Sequence, residues 1–304
     1  MSVAGLLLGD SRFPAGGHAH SGGVEPAVTA GTVRDLDSLE LFLLGRLRTA
    51  GLVAAAMATA ACAGALRQGR GASDSLESAP AAASAVTGIG KPAEPAASVL
   101  DHGWWAELDA EADARTPAPA QREASRRQGR ALLRAARVAW PEAGWLAELA
   151  ASAAAGRAGA GAGAFDSAGT TGGAGGAGGV SRGIGADWGR DAGQGRGEYR
   201  GGPHHAVVLG AAAAAAGCTP SEASRIAAYQ AVSGPVSAAV RLLALDPMRA
   251  TGAVARLAGE IERVAALGAG YADTPPAELP CPSAPALDLL AQTHIGAEVR
   301  LFES

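Results

Sequence analysis

The chain is poor in several kinds of residue, and each shortage narrows what it can be. Only three cysteines occur in 304 residues. Cys62, Cys218 and Cys281 lie far apart and form no CxxC pair, so neither a disulfide framework nor a zinc knuckle is expected, and a reducing cytoplasm fits. Lys91 is the one lysine among many arginines, a bias of base composition rather than of function. The formal charge of -4 is small for this length. It argues against a nucleic-acid partner, which would need a basic stripe to neutralise phosphates, and none is expected. No basic region precedes the short apolar run LLLG, which Asp10 ends, so no targeting signal is read. Long hydrophobic runs are also scarce. The uncharged AGLVAAAMATAACAGAL, 50–66, is mostly alanine and falls short of the ~20 strongly apolar residues of a membrane span. A buried helix is expected there, and no membrane.

Glycine is abundant, at 44 residues, whereas aromatic residues make up only 4%. Two stretches, 69–98 and 156–202, are built of Gly, Ala and Ser, with Pro in the first, and lack apolar periodicity. Such segments bury too little to offset a chain entropy of roughly 1–2 kcal/mol per ordered residue. They are expected to be flexible insertions in a single domain spanning 1–304.

The remainder reads as helix. Asp37-x-x-Glu40 suggests a capping box opening SLELFLLGRLRTAG, with Leu39, Leu43 and Leu47 at helical spacing. PAQREASRRQGRALLRAARVAW is a second helix, ended by Pro141. Its Arg122, Arg126, Arg127, Arg130 and Arg134 give it a basic face, to be solvated or to meet a partner. Thr219-Pro220-Ser221-Glu222 opens another helix, with Thr219 as cap, Pro220 at the first position and Glu222 closing the box. It should stop before Gly234-Pro235, and a further helix should cover VSAAVRLLAL as far as Asp246-Pro247. MRATGAVARLAGEIERVAALG reads as one amphipathic helix, with Val254, Leu257, Ile261 and Val264 on one side and Gly268 as C-cap. No alternating β-branched run appears, and the expected class is all-α, a helical-bundle-like domain.

Most catalytic motifs fail. GIGKPA places Pro92 after the lysine, which excludes a phosphate-cradling P-loop. GGVSRGIG, 178–185, imitates a dinucleotide-binding loop but follows a glycine-rich tract instead of a buried strand. Ser21 has histidines nearby but no G-x-S-x-G elbow. His18-x-His20 and His204-His205 are donor clusters of a kind that suits Ni, Zn or Cu, yet no carboxylate at ligand spacing joins them. Histidines bonded within turns are the favoured reading, and an all-α metal-dependent enzyme using the two pairs is the alternative. A scaffold of unrelated purpose is another.

Four stretches resemble, in order, the UreF family of urease accessory proteins. They are LLLGDSRFPAGGHAHSGGVEPAVTAGTVRD, REASRRQGRALLR, HHAVVLGAAAAAAGCTPSEASRIAAYQAVSGPVSAAVRLLAL and the ending EVRLFES. The resemblance implies a cytoplasmic protein without catalysis or cofactor of its own. It would form a homodimer, bind the accessory protein UreD (also called UreH), recruit the GTPase UreG and act in nickel delivery to apo-urease. It maps partner-binding roles onto Glu25, Arg300, Leu301, Phe302 and Ser304. Glu25 is otherwise read as an acid placed at a helix N-terminus. Pro14, Gly16, Gly17 and Ser21 are expected to shape a stiff loop into the first signature helix, which should begin near Gly23 so that Pro26 falls in its first turn. His18 stands where the family has an aromatic residue. His18, His20, His204 and His205 are the residues to consider for transient nickel contact, with no dedicated metal site. The tail residues Val299, Leu301 and Phe302 are too apolar to be left in water and should dock on a partner or on their own domain.

Overall fold

A computed structural model describes residues 3–10, 13, 20–77, 102–161, 201–294 and 301–302. The chain order is α1 (Val3–Gly9), α2 (Val24–Thr29), α3 (Leu36–Arg46), a π-helical turn (Leu47–Gly51) and α4 (Leu52–Glu77). Then come α5 (His102–Ala114), α6 (Pro119–Ala139), α7 (Gly144–Gly161), α8 (His205–Ala215) and α9 (Pro220–Leu242). Last are α10 (Pro247–Arg256), α11 (Ala258–Ala269), a 3-10 turn (Pro276–Glu278) and α12 (Pro285–His294). The protein is all-α, with no strand among the described residues.

α4 lies at the centre, packed most extensively against α8 and α9, with α11 against both α4 and α9. Alanine and glycine set the helix spacing. A Cβ on Gly210 of α8 would overlap the Ala58 carbonyl of α4, and one on Gly268 of α11 would sit 2.5 Å from Ser224 Oγ and 2.7 Å from Ala55 Cβ. Backbones therefore meet with almost no side chain between them. Larger residues fill the flanks: Leu39, Leu43 and Leu47 form one cluster with Val232 and Val264, while Trp105, Leu108, Leu132 and Leu146 form another around α4 and α8. The predicted buried helix at 50–66 is thus present, but it is part of a longer run. α3, the π-turn and α4 join into Leu36–Gly71, which has the length and apolarity to cross a membrane, and 67% of its apolar window is buried inside the protein.

Several boundaries differ from those read in the sequence. The α3 box uses Asp35 and Ser38 rather than Asp37 and Glu40: Asp35 Oδ1 accepts from Ser38 N at 2.9 Å while Ser38 Oγ accepts from Asp35 N at 3.1 Å. Glu40 instead pairs with Arg256 of α10. α9 does not stop at Gly234 but runs on to Leu242 through a buried Pro235. Both its halves are buried, which outweighs the ~3 kcal/mol that an interior proline costs, and Gly234 has no Cβ to crowd the proline ring. The Thr219 box forms as read. The predicted helix from Met248 is two helices, broken at Leu257, and Gly268 is not its cap but a buried contact inside α11, which ends at Ala269 and is capped by Gly270. Helix also enters both predicted insertions: α4 continues to Glu77 and α7 to Gly161, whereas 78–101 and 162–200, including the GIGKPA and GGVSRGIG motifs, lie outside the described residues.

Because the helix spacing depends on missing side chains, one substitution should act oppositely at two glycines. Gly210→Ala should destabilise the protein by about 1–3 kcal/mol through overpacking. Gly45→Ala, in α3 with nothing within 4 Å of its added carbon, should stabilise it by about 0.5–1 kcal/mol. Chemical denaturation of the two variants checks both signs.

Candidate functional site

α2 is built to place one carboxylate. Gly23 caps it at φ 90°, a left-handed conformation open to glycine, and Glu25 follows in the first turn. Pro26 is the next residue, still inside the turn whose N–H groups have no intrahelical acceptor, so it is tolerated as expected. Glu25 is buried, and its side chain does not face solvent. Its Oε1 accepts a hydrogen bond from Leu301 N at 2.7 Å and its Oε2 accepts one from Phe302 N at 2.8 Å. Phe302 is itself buried, with the Arg241 guanidinium of α9 lying 4.4 Å from its ring centroid. Leu301, beside it, is 71% exposed. The tail therefore docks on its own domain through Phe302, and the carboxylate singled out at the helix start holds it there.

The loop before α2 is only partly described. Phe13 packs near Trp140, with ring centroids 6.1 Å apart. Ser21 is fully buried, and its Oγ has no hydrogen-bond partner among the described residues. Pro14, Gly16, Gly17 and His18 lie outside the described residues, as do Arg300 and Ser304.

A buried polar cluster ties α5, α6 and the start of α8. Arg126, expected on a basic outer face of α6, turns inward: Nη1 meets Asp109 Oδ2 at 2.7 Å and Gly202 O, and Nη2 meets Asp113 Oδ2 at 2.5 Å. Arg122 donates to the Thr116 and Pro117 carbonyls, and Arg127 pairs with Glu123 along the helix. Asp109 and Asp113, four residues apart, share one face of α5 and receive this charge. His204 completes the cluster. Its backbone N–H donates to Asp109 Oδ1 at 2.7 Å, its Nδ1 lies 3.0 Å from Ser125 Oγ and its Nε2 lies 2.8 Å from Asp113 Oδ1. Burial pushes the Asp113 carboxyl up, but the hydrogen bonds from His204 and Arg126 prevail and hold it down at about 2.

His20, His204 and His205 come together around a cavity of about 270 Å³, which Arg46 and Gln128 also line. Both ring nitrogens of His204 are engaged. His20 is pushed down to about 4 by burial and then by Arg127, and His205 to about 4 by burial and then by His20. Both rings are neutral at pH 7. Among the described residues, no group of three or more His, Cys, Asp or Glu side chains is arranged to hold a metal. Cys62 and Cys218 are buried, and Cys62 Sγ donates to the Cys218 carbonyl at 3.5 Å. Cys281 is exposed. Sequence reasoning missed Asp109, Asp113 and Arg46. The i, i+4 carboxylates of α5 facing an arginine-rich α6 were the available signal for the first two.

These features define an all-α protein in which α2 and the C-terminal residues Leu301 and Phe302 are held together on one face of a closely packed body. The UreF family model matches residues 33–258, and the chain belongs to the UreF family. Curated relatives carry the name urease accessory protein UreF. The one from Mycobacterium sp. (strain JLS) is 36% identical over 299 residues, covering 98% of this chain and 97% of the relative. That from Mycolicibacterium vanbaalenii is 35% identical over the same shares of both chains. That from Mycobacterium tuberculosis is 33% identical over 290 residues, covering 95% and 92%. By family the protein is a urease accessory protein and not an enzyme.

The two neutral histidines make stability depend on pH. Their folded forms resist protonation, so below about pH 6.5 the unfolded chain binds more protons and stability falls as pH drops towards about 4. The slope is up to ~1.4 kcal/mol per pH unit for each ring. Asp113 adds a second loss lower down: its contribution is full above 3.8 and disappears as pH falls towards about 2. Denaturation midpoints measured between about pH 7.5 and 4.5 should show the first decline, and His20→Gln should make it shallower.

Proposed function

We propose that this chain is the scaffold of urease maturation that binds UreD (UreH), recruits the GTPase UreG and regulates GTP-dependent delivery of nickel to apo-urease. It acts in the cytoplasm as a homodimer, and nickel is handled by the assembled complex rather than by a resident site in this chain. The observation that carries the reading is the pair of hydrogen bonds from Leu301 and Phe302 to Glu25. They join the first and last family stretches into one surface, with Phe302 as its anchor and the exposed Leu301 as a side chain left for a partner. Arg300 directly precedes these two residues in sequence, and Ser304 follows Phe302 by two positions. On this reading Glu25 supports partner binding by shaping the tail, not by touching the partner.

The test is co-expression of the chain with UreD, UreG and the urease subunits. Glu25→Ala removes both acceptors and should cut UreG recruitment and urease activation at least tenfold while the variant remains folded by circular dichroism. Arg300→Ala should produce the same loss without disturbing the Glu25 contact. Full activation by both folded variants would contradict the proposal.

A further inference from the structure

The cavity that gathers the histidines is also lined by Arg46, a cation without a counter-charge among the described residues. Arg46 closes α3, and the π-helical turn that follows carries the chain into α4. Its Nε is sealed from solvent with no hydrogen-bond acceptor, and no ion pair or hydrogen bond among the described residues reaches its guanidinium. The neighbouring arginine shows the contrast: Arg48 pairs with Glu260 at 2.6 Å. The other arginine lining the cavity, Arg115, is also satisfied, by Glu111 and by the Ala277, Leu279 and Pro280 carbonyls. Among the described residues that line the cavity, none is Asp or Glu. Among the described residues, no acid lies beside this half-buried arginine to balance its charge.

The surroundings suit a small anion. Gly22, at φ 59°, leaves bare backbone beside the guanidinium: a Cβ there would lie 3.2 Å from Arg46 Nη2 and 3.0 Å from Pro235 Cγ. A side chain at that position would fill the space the arginine faces. Gln128 also lines the cavity, and its amide has no hydrogen-bond partner among the described residues. Neutral His205 can offer a ring N–H without adding charge. The volume, about 270 Å³, exceeds what one small oxyanion occupies. A guanidinium forms two parallel N–H···O bonds to a carboxylate or phosphate edge, which is the geometry such a site supplies.

We propose that this cavity binds a small oxyanion, gripped by the Arg46 guanidinium, with the Gln128 amide and the ring N–H of His205 as further donors. The site stands on its own geometry and is independent of the accessory role, so failure of either leaves the other intact. Carboxylate and phosphate share the recognising chemistry, and the experiment separates them.

Isothermal titration calorimetry of the purified full chain with sodium acetate and with sodium phosphate, at matched ionic strength in chloride buffer near pH 7.5, tests the proposal. Saturable binding of at least one of the two, at one site per chain, is expected. Acetate alone would mark a planar carboxylate site and phosphate alone a tetrahedral one. Arg46→Met should weaken that binding at least tenfold and, without the anion, should raise the melting temperature above the wild type. Arg46→Lys, which keeps the charge but loses the two-pronged geometry, should weaken it at least threefold and serves as the comparison if Arg46→Met fails to fold. Absence of saturable binding of either anion to the wild type, or wild-type binding by the folded Arg46 variants, would overturn the proposal.

Discussion

The structure turns on one carboxylate that accepts two consecutive backbone N–H groups. Glu25 and the tail it holds are 276 and 277 residues apart in sequence. Hydrogen bonds to a charged acceptor stabilise by about 1.5–3 kcal/mol each when shielded from water. Accepting from two successive amides also fixes the direction in which the tail crosses α2. The geometry depends in turn on Gly23, whose left-handed cap aims the first turn of α2, and on Pro26, which falls where its missing N–H has no consequence. Arg241 then covers the Phe302 ring from α9. Three separate parts of the chain thus meet on one face, and the tail owes its conformation to the pose of a six-residue helix.

Behind that face lies a body that gives little. α4, α8, α9 and α11 meet through alanine and glycine, so their backbones approach closely and few bulky side chains can rearrange between them. On the other flank, Arg126 bridges two carboxylates of α5 and the carbonyl that precedes Pro203, while His204 ties the same carboxylates to α6 through Ser125. Removing Arg126 would leave the half-buried Asp109 and Asp113 without the guanidinium they share and with only their His204 contacts, a more costly change than losing a surface pair. The same cluster explains why His204, half of a histidine pair that suggests metal binding in the sequence, is committed to structure.

The sequence made the class and most helices legible because periodicity and caps are local. Leu39, Leu43 and Leu47 all turn inward, and Thr219, Pro220 and Glu222 open α9 as their spacing implies. What it hid was long-range. Pro235 reads as a helix end, and only the packing of both halves of α9 keeps the helix going. Arg126 reads as part of a solvated stripe, and only the i, i+4 aspartates on α5 pull it inside. Gly268 reads as a cap because glycine commonly ends helices, whereas its role is to let α11 approach Ala55 and Ser224. In the candidate site, Glu25 and Phe302 stood out through family resemblance. Their direct connection did not, since no sequence pattern links a carboxylate to backbone groups at the other end of the chain. Arg46 was invisible for a similar reason: a charge attracts notice only once its surroundings are seen, and among the described residues nothing balances it.

The central claim is that Glu25 holds the tail, and amide hydrogen exchange at the two bonded positions tests it most directly. Exchange at Leu301 and Phe302 should be slowed at least tenfold relative to an unstructured peptide of the same sequence, and Glu25→Ala should return both amides to the peptide rate while the α4 amides stay protected. Peptide-like exchange at Leu301 and Phe302 in the wild-type protein, or protection that survives in the variant, would contradict the account.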